Sequence, residues 1–184
     1  MSFSKEEIAN YALVLLGNTN DTITSLSGDR ILKDNERIIA KVIDKIIDDC
    51  LCDILPNFAI KSIKIIKNTE DKLIIPTDCL KVLSINADTR FNQRWKIEGN
   101  EIIPLIDFME SQIIKLTYIS NTTDIMQHAT SGFCKYCSYS LAVECAQSLS
   151  GNLNLRSVLL NEKEHLRNVL LSRENIDNEC TVIY

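Results

Sequence analysis

The side chains of this 184-residue chain that have chemistry to offer are seven cysteines, two histidines, one tryptophan and scattered acid pairs. Cys134 and Cys137 stand in Cys-x-x-Cys spacing, and with Cys50 and Cys52 they could supply thiolates to zinc or act as a redox dithiol. The surroundings favour a plainer role. Cys134, Cys137 and Cys145 fall inside a helical pattern, where reduced cysteine commonly packs as a small hydrophobe. A redox Cys-x-x-Cys works from a helix N-terminus following a strand. His128 lies in a polar connector and His165 on the charged face EKEHLR, neither beside a nucleophile in sequence. Asp48-Asp49 fits the wet side of a helix better than a cation site. The five glycines form no G-x-G-x-x-G or Walker pattern. No catalytic residue, cofactor or metal is therefore expected. Trp95, between Arg94 and Lys96, fits either a binding hot spot or the packing of a strand.

Composition narrows the partners. A net charge of −5 is the wrong sign for a protein that grips nucleic-acid phosphates through a basic face. No apolar run reaches the 18 or so residues of a membrane span, so no membrane partner is expected. An odd number of cysteines with no secretion pattern at the start points to reduced thiols in the cytosol.

The elements that would position these residues follow from hydrophobic spacing. Ser4 and Glu7 make a capping-box pattern for a helix over about 4–16 with Ile8, Tyr11, Ala12 and Leu15 on one face, stopped at Gly17. The longest periodic stretch, about 29–55, carries a wide stripe through Ile38, Val42, Ile46, Cys50 and Ile54 and ends at Pro56; the rest of the chain is expected to arrange itself around it. Residues 57–120 break into short apolar runs, with Trp95 and Ile97 leading to a Gly99-Asn100 hairpin loop, and read as a small, mostly antiparallel sheet. Helical spacing returns over about 131–150 and 153–172. The expected fold is α+β: a four-helix bundle core with the sheet inserted between the second and third helices, forming a single domain over 1–173. Residues 174–184 read as a flexible polar tail ending in Val182, Ile183 and Tyr184, a tip that could order on a partner.

Five segments occur in a suggestive order: ITSL (Ile23–Leu26), LPNFAI after the long acidic helix (Leu55–Ile60), IPTDCLKVLSI (Ile75–Ile85), WKIEGNEI (Trp95–Ile102) and IKLTYISNTTD (Ile114–Asp124). As an ordered set across roughly 8–150 they resemble the tail tubular protein A family, the head-to-tail adaptors of short-tailed phages. That family typically shows P-W-N-F-A, L-P-x-D-C-L-R-V-L, W-x-x-E-G and R-Y-I-x-x-V-T-D. This chain departs in lacking the tryptophan of the first motif, in carrying Lys81 where the family has arginine, and in a short segment over about 61–73.

The resemblance implies a structural virion protein of the tail or neck, assembled in the host cytoplasm from a phage or prophage. It implies a ring, dodecameric in the family, between the portal protein and the tail nozzle protein, with DNA passing through without specific binding. Trp95, Val182, Ile183 and Tyr184 are the expected partner-interface residues. The near alternative is a connector or head-completion protein of a longer-tailed phage. From a different class, a small cytosolic zinc or redox cysteine protein would carry stoichiometric metal or a reactive thiol.

Overall fold

The computed structural model describes residues 3–26, 33–66, 73–85, 88–89, 95–104, 113–122 and 125–180. Among them are four helices and two small antiparallel sheets, an α+β chain. In chain order these are α1 (Lys5–Leu15), α2 (Asp34–Ile54), β1 (Ile60–Ile66), β2 (Leu73–Ile74), β3 (Cys79–Ile85), β4 (Asp88–Thr89), β5 (Trp95–Glu98), β6 (Glu101–Pro104), β7 (Ile113–Ser120), α3 (Ser131–Leu149) and α4 (Leu153–Cys180). Where the sequence pattern predicts a single domain, the contacts divide the chain into two compact units, 1–58 with 123–184, and 59–122.

In the helical unit the centre is α3 rather than α2. It packs against α1, α2 and α4, which touch one another far less. Its buried residues, Phe133, Cys134, Tyr136, Cys137, Leu141 and Val143 among them, lie all round the cylinder. A helix apolar on every side must be enclosed, whereas the one-sided stripe of α2 can cover only one neighbour. That stripe is centred on Ile39, Ile43, Ile47, Cys50, Leu51 and Ile54, leaving Ile38, Val42 and Ile46 half-buried at its margin. On α1 the buried face is Ile8, Ala9, Ala12 and Leu13, so Tyr11 points outward and meets Tyr139 edge-on at 6.4 Å between ring centroids.

The helix ends follow local chemistry. Ser4 Oγ accepts from the Glu7 amide and the Glu7 carboxylate accepts from the Ser4 amide, closing the capping box. The helix predicted from residue 29 begins instead at Asp34, because the extended Lys33 is its cap and Glu36 reaches back 2.9 Å to the Lys33 amide; residues 29–32 lie outside the described residues. Leu55 caps its far end in the left-handed conformation (φ 56°), since Pro56 disfavours the right-handed helix there. Thr130 caps α3 and Asn152 caps α4.

Helix α4 corrects the predicted tail. It runs 28 residues, about 42 Å, through Cys180, so 174–180 is helical; residues 181–184 lie outside the described residues. Once a helix is nucleated each added residue gains a backbone hydrogen bond, so a polar stretch can prolong it without an apolar stripe. The helix lies antiparallel to α3, with Leu170 against Gly132 near the α3 start. None of the described helices is long and apolar enough to cross a membrane.

The strand unit holds two sheets, β1-β7-β3-β4 and β2-β6-β5, where the sequence pattern predicts one. Every pairing is antiparallel. Alternation on β7 turns Ile114, Leu116 and Tyr118 inward. They meet Leu73, Trp95 and Ile102 from the second sheet in one cluster, so the two sheets share a core. Gly99, at φ 59°, turns the β5–β6 hairpin.

Candidate functional site

In the strand unit, Asp78 sits in the turn before β3 and holds that turn to two neighbouring strands. Its carboxylate accepts from Ser120 Oγ (2.8 Å) and Tyr118 Oη (3.2 Å) on β7 and from Lys61 Nζ (3.0 Å) on β1. Burial alone would raise its pKa, but these donors and the Lys61 charge outweigh it and hold the carboxyl below its ordinary value. Tyr118 is pushed the other way, up to about 12, by burial and the facing carboxylate. This cluster fastens structure: every group in it is already partnered.

Trp95 corrects an expectation. It is 2% exposed within the core of the strand unit, so its ring packs its own sheets and presents no surface to a partner. Val182, Ile183 and Tyr184, the other predicted interface residues, lie outside the described residues. The large apolar side chains that do face outward are Tyr11 and Val14 on α1, Leu153, Val158 and Leu160 on α4, and Ile66, Ile74 and Ile97 on the strands. The sequence pattern places Tyr11 on the packed face of its helix. It offers no signal for the exposure of that ring, because helical spacing fixes which residues share a face but not how wide the covering neighbour is.

The helical unit carries a second convergent polar cluster, and this one borders a cleft. Near the end of α2, Asp53 accepts from Arg167 of α4 through Nε (2.8 Å to Oδ2, 3.0 Å to Oδ1) and Nη2 (2.8 Å to Oδ1). It also accepts from the Tyr136 hydroxyl of α3 at 2.6 Å. One carboxylate thus joins three helices. The Arg167 guanidinium, against the opposing effect of burial, keeps the Asp53 carboxyl below its usual range. Lys163 Nζ stands 5.6 Å from the Tyr136 ring centroid.

Beside this knot opens a cleft of about 320 Å³ whose lining includes Cys50, Asp53, Tyr136, Ser140, Glu144 and Lys163. Cys50 of α2 lies on the wall of this cleft and is 3% exposed. Hydrogen bonding from Cys137 and then Ser140, with the Lys163 charge, outweighs burial and holds the Cys50 thiol below its ordinary value. Cys137, fully buried and donating, is held well above its ordinary value.

The Cys-x-x-Cys spacing does not act as a unit. Cys134 is pushed up to about 12, chiefly by burial, and lines a different groove, between α1 and α3. Cys50, Cys52, Cys79, Cys134, Cys137 and Cys145 form no disulfide, and no group of three potential metal ligands occurs among the described residues. His128 and His165 are exposed and line neither groove. Asp48 has its pKa raised by burial and by Asp44 and Asp49. No protein-family model matches the chain, and no curated protein matches it.

Proposed function

We propose that the chain is a head-to-tail adaptor of a short-tailed phage, a non-enzymatic structural subunit that assembles as a ring between portal and tail nozzle. In this reading the four helices are the bundle core and the strand unit between the second and third helices is the outgrowth that meets other virion parts. One observation carries the proposal: the segments that resemble the adaptor family fall on the joints of this fold. LPNFAI spans the left-handed Leu55 cap and Phe58, whose ring meets Phe133 of α3 edge-on at 5.2 Å. IPTDCLKVLSI contains the Asp78 fastening and all of β3. WKIEGNEI is the β5–β6 hairpin, and IKLTYIS is β7, the strand that pairs with both β1 and β3. Motifs at such joints are those a family must keep to keep its shape.

Two further features suit a ring subunit. Exposed apolar side chains on α1 and α4 leave surface for neighbouring copies to bury. A net charge of −5 suits a channel past which DNA slides without being held. The test is to mix the purified chain with its cognate portal and inspect the product by electron microscopy. Rings seated on the portal are expected. Free portal alongside free monomer at high concentrations of both would refute the proposal, and stoichiometric zinc in the purified chain would favour the cysteine-protein reading instead.

A further inference from the structure

We infer that copies of this chain join head to tail, the exposed ridge of α4 around Leu160 in one copy seating in the α1–α3 groove of the next. The groove has a volume of about 310 Å³; Phe3, Ile8, Tyr11 and Cys134 supply its apolar walls, and Glu7 and Lys135 its charges. Tyr11 is 40% exposed there, and Val14 continues the apolar surface one turn along α1. On α4 the buried side chains are Leu159 and Leu170. Leu160 lies about 100° further round the helix from Leu159 and is 40% exposed, with Leu153 on the same side two turns earlier. Arg156 and Glu164 stand one turn before and one turn after Leu160. The ridge therefore runs Arg, Leu, Glu at four-residue spacing, the row that helices insert into grooves.

Charge identifies the occupant as a second copy. The ridge carries a positive and a negative side chain about an apolar centre, and the groove carries a negative and a positive one about apolar walls. Glu7, Lys135, Arg156 and Glu164 are all exposed, and none is in an ion pair among the described residues. Seating Leu160 against Tyr11 pairs Arg156 with Glu7 and Glu164 with Lys135, whereas the reversed direction sets like charges together. Helices α1 and α4 pack on α3 and scarcely on each other, so ridge and groove belong to different sides of the helical unit. A contact between two different surfaces repeats from copy to copy and closes into a ring when the rotation allows. The inference rests on the adaptor proposal for that closure; the contact itself lies wholly on the helical unit.

The test follows self-association of the full chain at high concentration by sedimentation velocity, free and with its cognate portal. Leu160→Asp and Tyr11→Asp, both at exposed positions, are each expected to weaken self-association by roughly tenfold or more while circular dichroism shows the chain folded. Lys135→Glu is expected to weaken it less, and adding Glu164→Lys to the same chain to restore it, a rescue that a merely structural role of either residue would not produce. Leu160→Asp and Tyr11→Asp chains mixed in equal amounts are expected to give dimers and nothing larger, because one intact contact joins them and none extends. Where the wild type assembles only on the portal, the variants and the rescue are read by ring formation there. Assembly that Leu160→Asp leaves unchanged, or a Lys135→Glu defect that Glu164→Lys does not repair, overturns the inference, while rings on the portal leave the adaptor proposal standing. Self-association that needs Leu160 and Tyr11 but never seats on the portal upholds the contact and overturns the adaptor proposal. A chain that stays monomeric in both settings overturns both.

Discussion

Replacing Arg167 with methionine keeps most of the aliphatic stem and removes the guanidinium that binds Asp53 at 2.8–3.0 Å. In a fully buried site each charge-assisted hydrogen bond contributes about 1.5–3 kcal/mol. Here the two side chains are 33% and 34% exposed, so solvent screens the pair and water can replace part of what is lost. A net destabilisation of about 1–2 kcal/mol at neutral pH follows. The Tyr136 hydroxyl shares the same carboxylate, so Tyr136→Phe is expected to cost about 1 kcal/mol alone and less in the Arg167→Met background.

The sign of the pH dependence follows from the depressed Asp53 pKa. The contribution is fully present above the unfolded carboxyl value of about 3.9 and is lost as pH falls through the lower folded value. Urea denaturation followed by far-ultraviolet circular dichroism reads the helices, while fluorescence of Trp95, the single tryptophan, reads the strand unit. The reasoning fails if Arg167→Met costs less than about 0.5 kcal/mol at pH 7, or if its cost is the same at pH 2 as at pH 7.

Three further outcomes are expected. Trp95→Ala removes a ring from the core shared by both sheets and should destabilise the strand unit by about 3–5 kcal/mol, seen as lost hydrogen-exchange protection in β2, β5 and β6. Asp78→Ala leaves Ser120, Tyr118 and Lys61 facing no carboxylate and should cost about 2–3 kcal/mol at pH 7 in urea titrations read by Trp95 fluorescence. Because the folded Asp78 pKa is lowered, that cost should vanish as pH falls through it. At Gly132 an added Cβ would lie 3.0 Å from Leu170 Cδ2, so in Gly132→Ala the helical gain of up to about 1 kcal/mol is offset by displacing Leu170. Gly132→Val has no room for its extra methyls and should lose about 1–3 kcal/mol in thermal unfolding.

Much of the framework was legible in the residues. Ser4 with Glu7, Gly17, Thr130 and Pro56 mark helix ends through bonds made within a few residues, and Gly99 marks a hairpin by a backbone angle that other side chains resist. The alternation on β7 and the all-round apolar character of α3 are also local in the sequence. The candidate site was not legible. Cys50 and Cys137 are 87 positions apart, and Asp53 and Arg167 are 114 apart. Spacing instead drew attention to Cys134, which shares a helix with Cys137 but lines another groove.

The sequence by itself determined the kinds of element and most of their ends, because capping and periodicity act within a turn or two of the chain. Only the tertiary structure decided that α3 is the hub and that Trp95 belongs to a core. It alone brought Asp53 of α2 against Tyr136 of α3 and Arg167 of α4 beside a cleft. Those outcomes depend on which faces meet, and a helix or strand does not encode its neighbour's width or register until both pack.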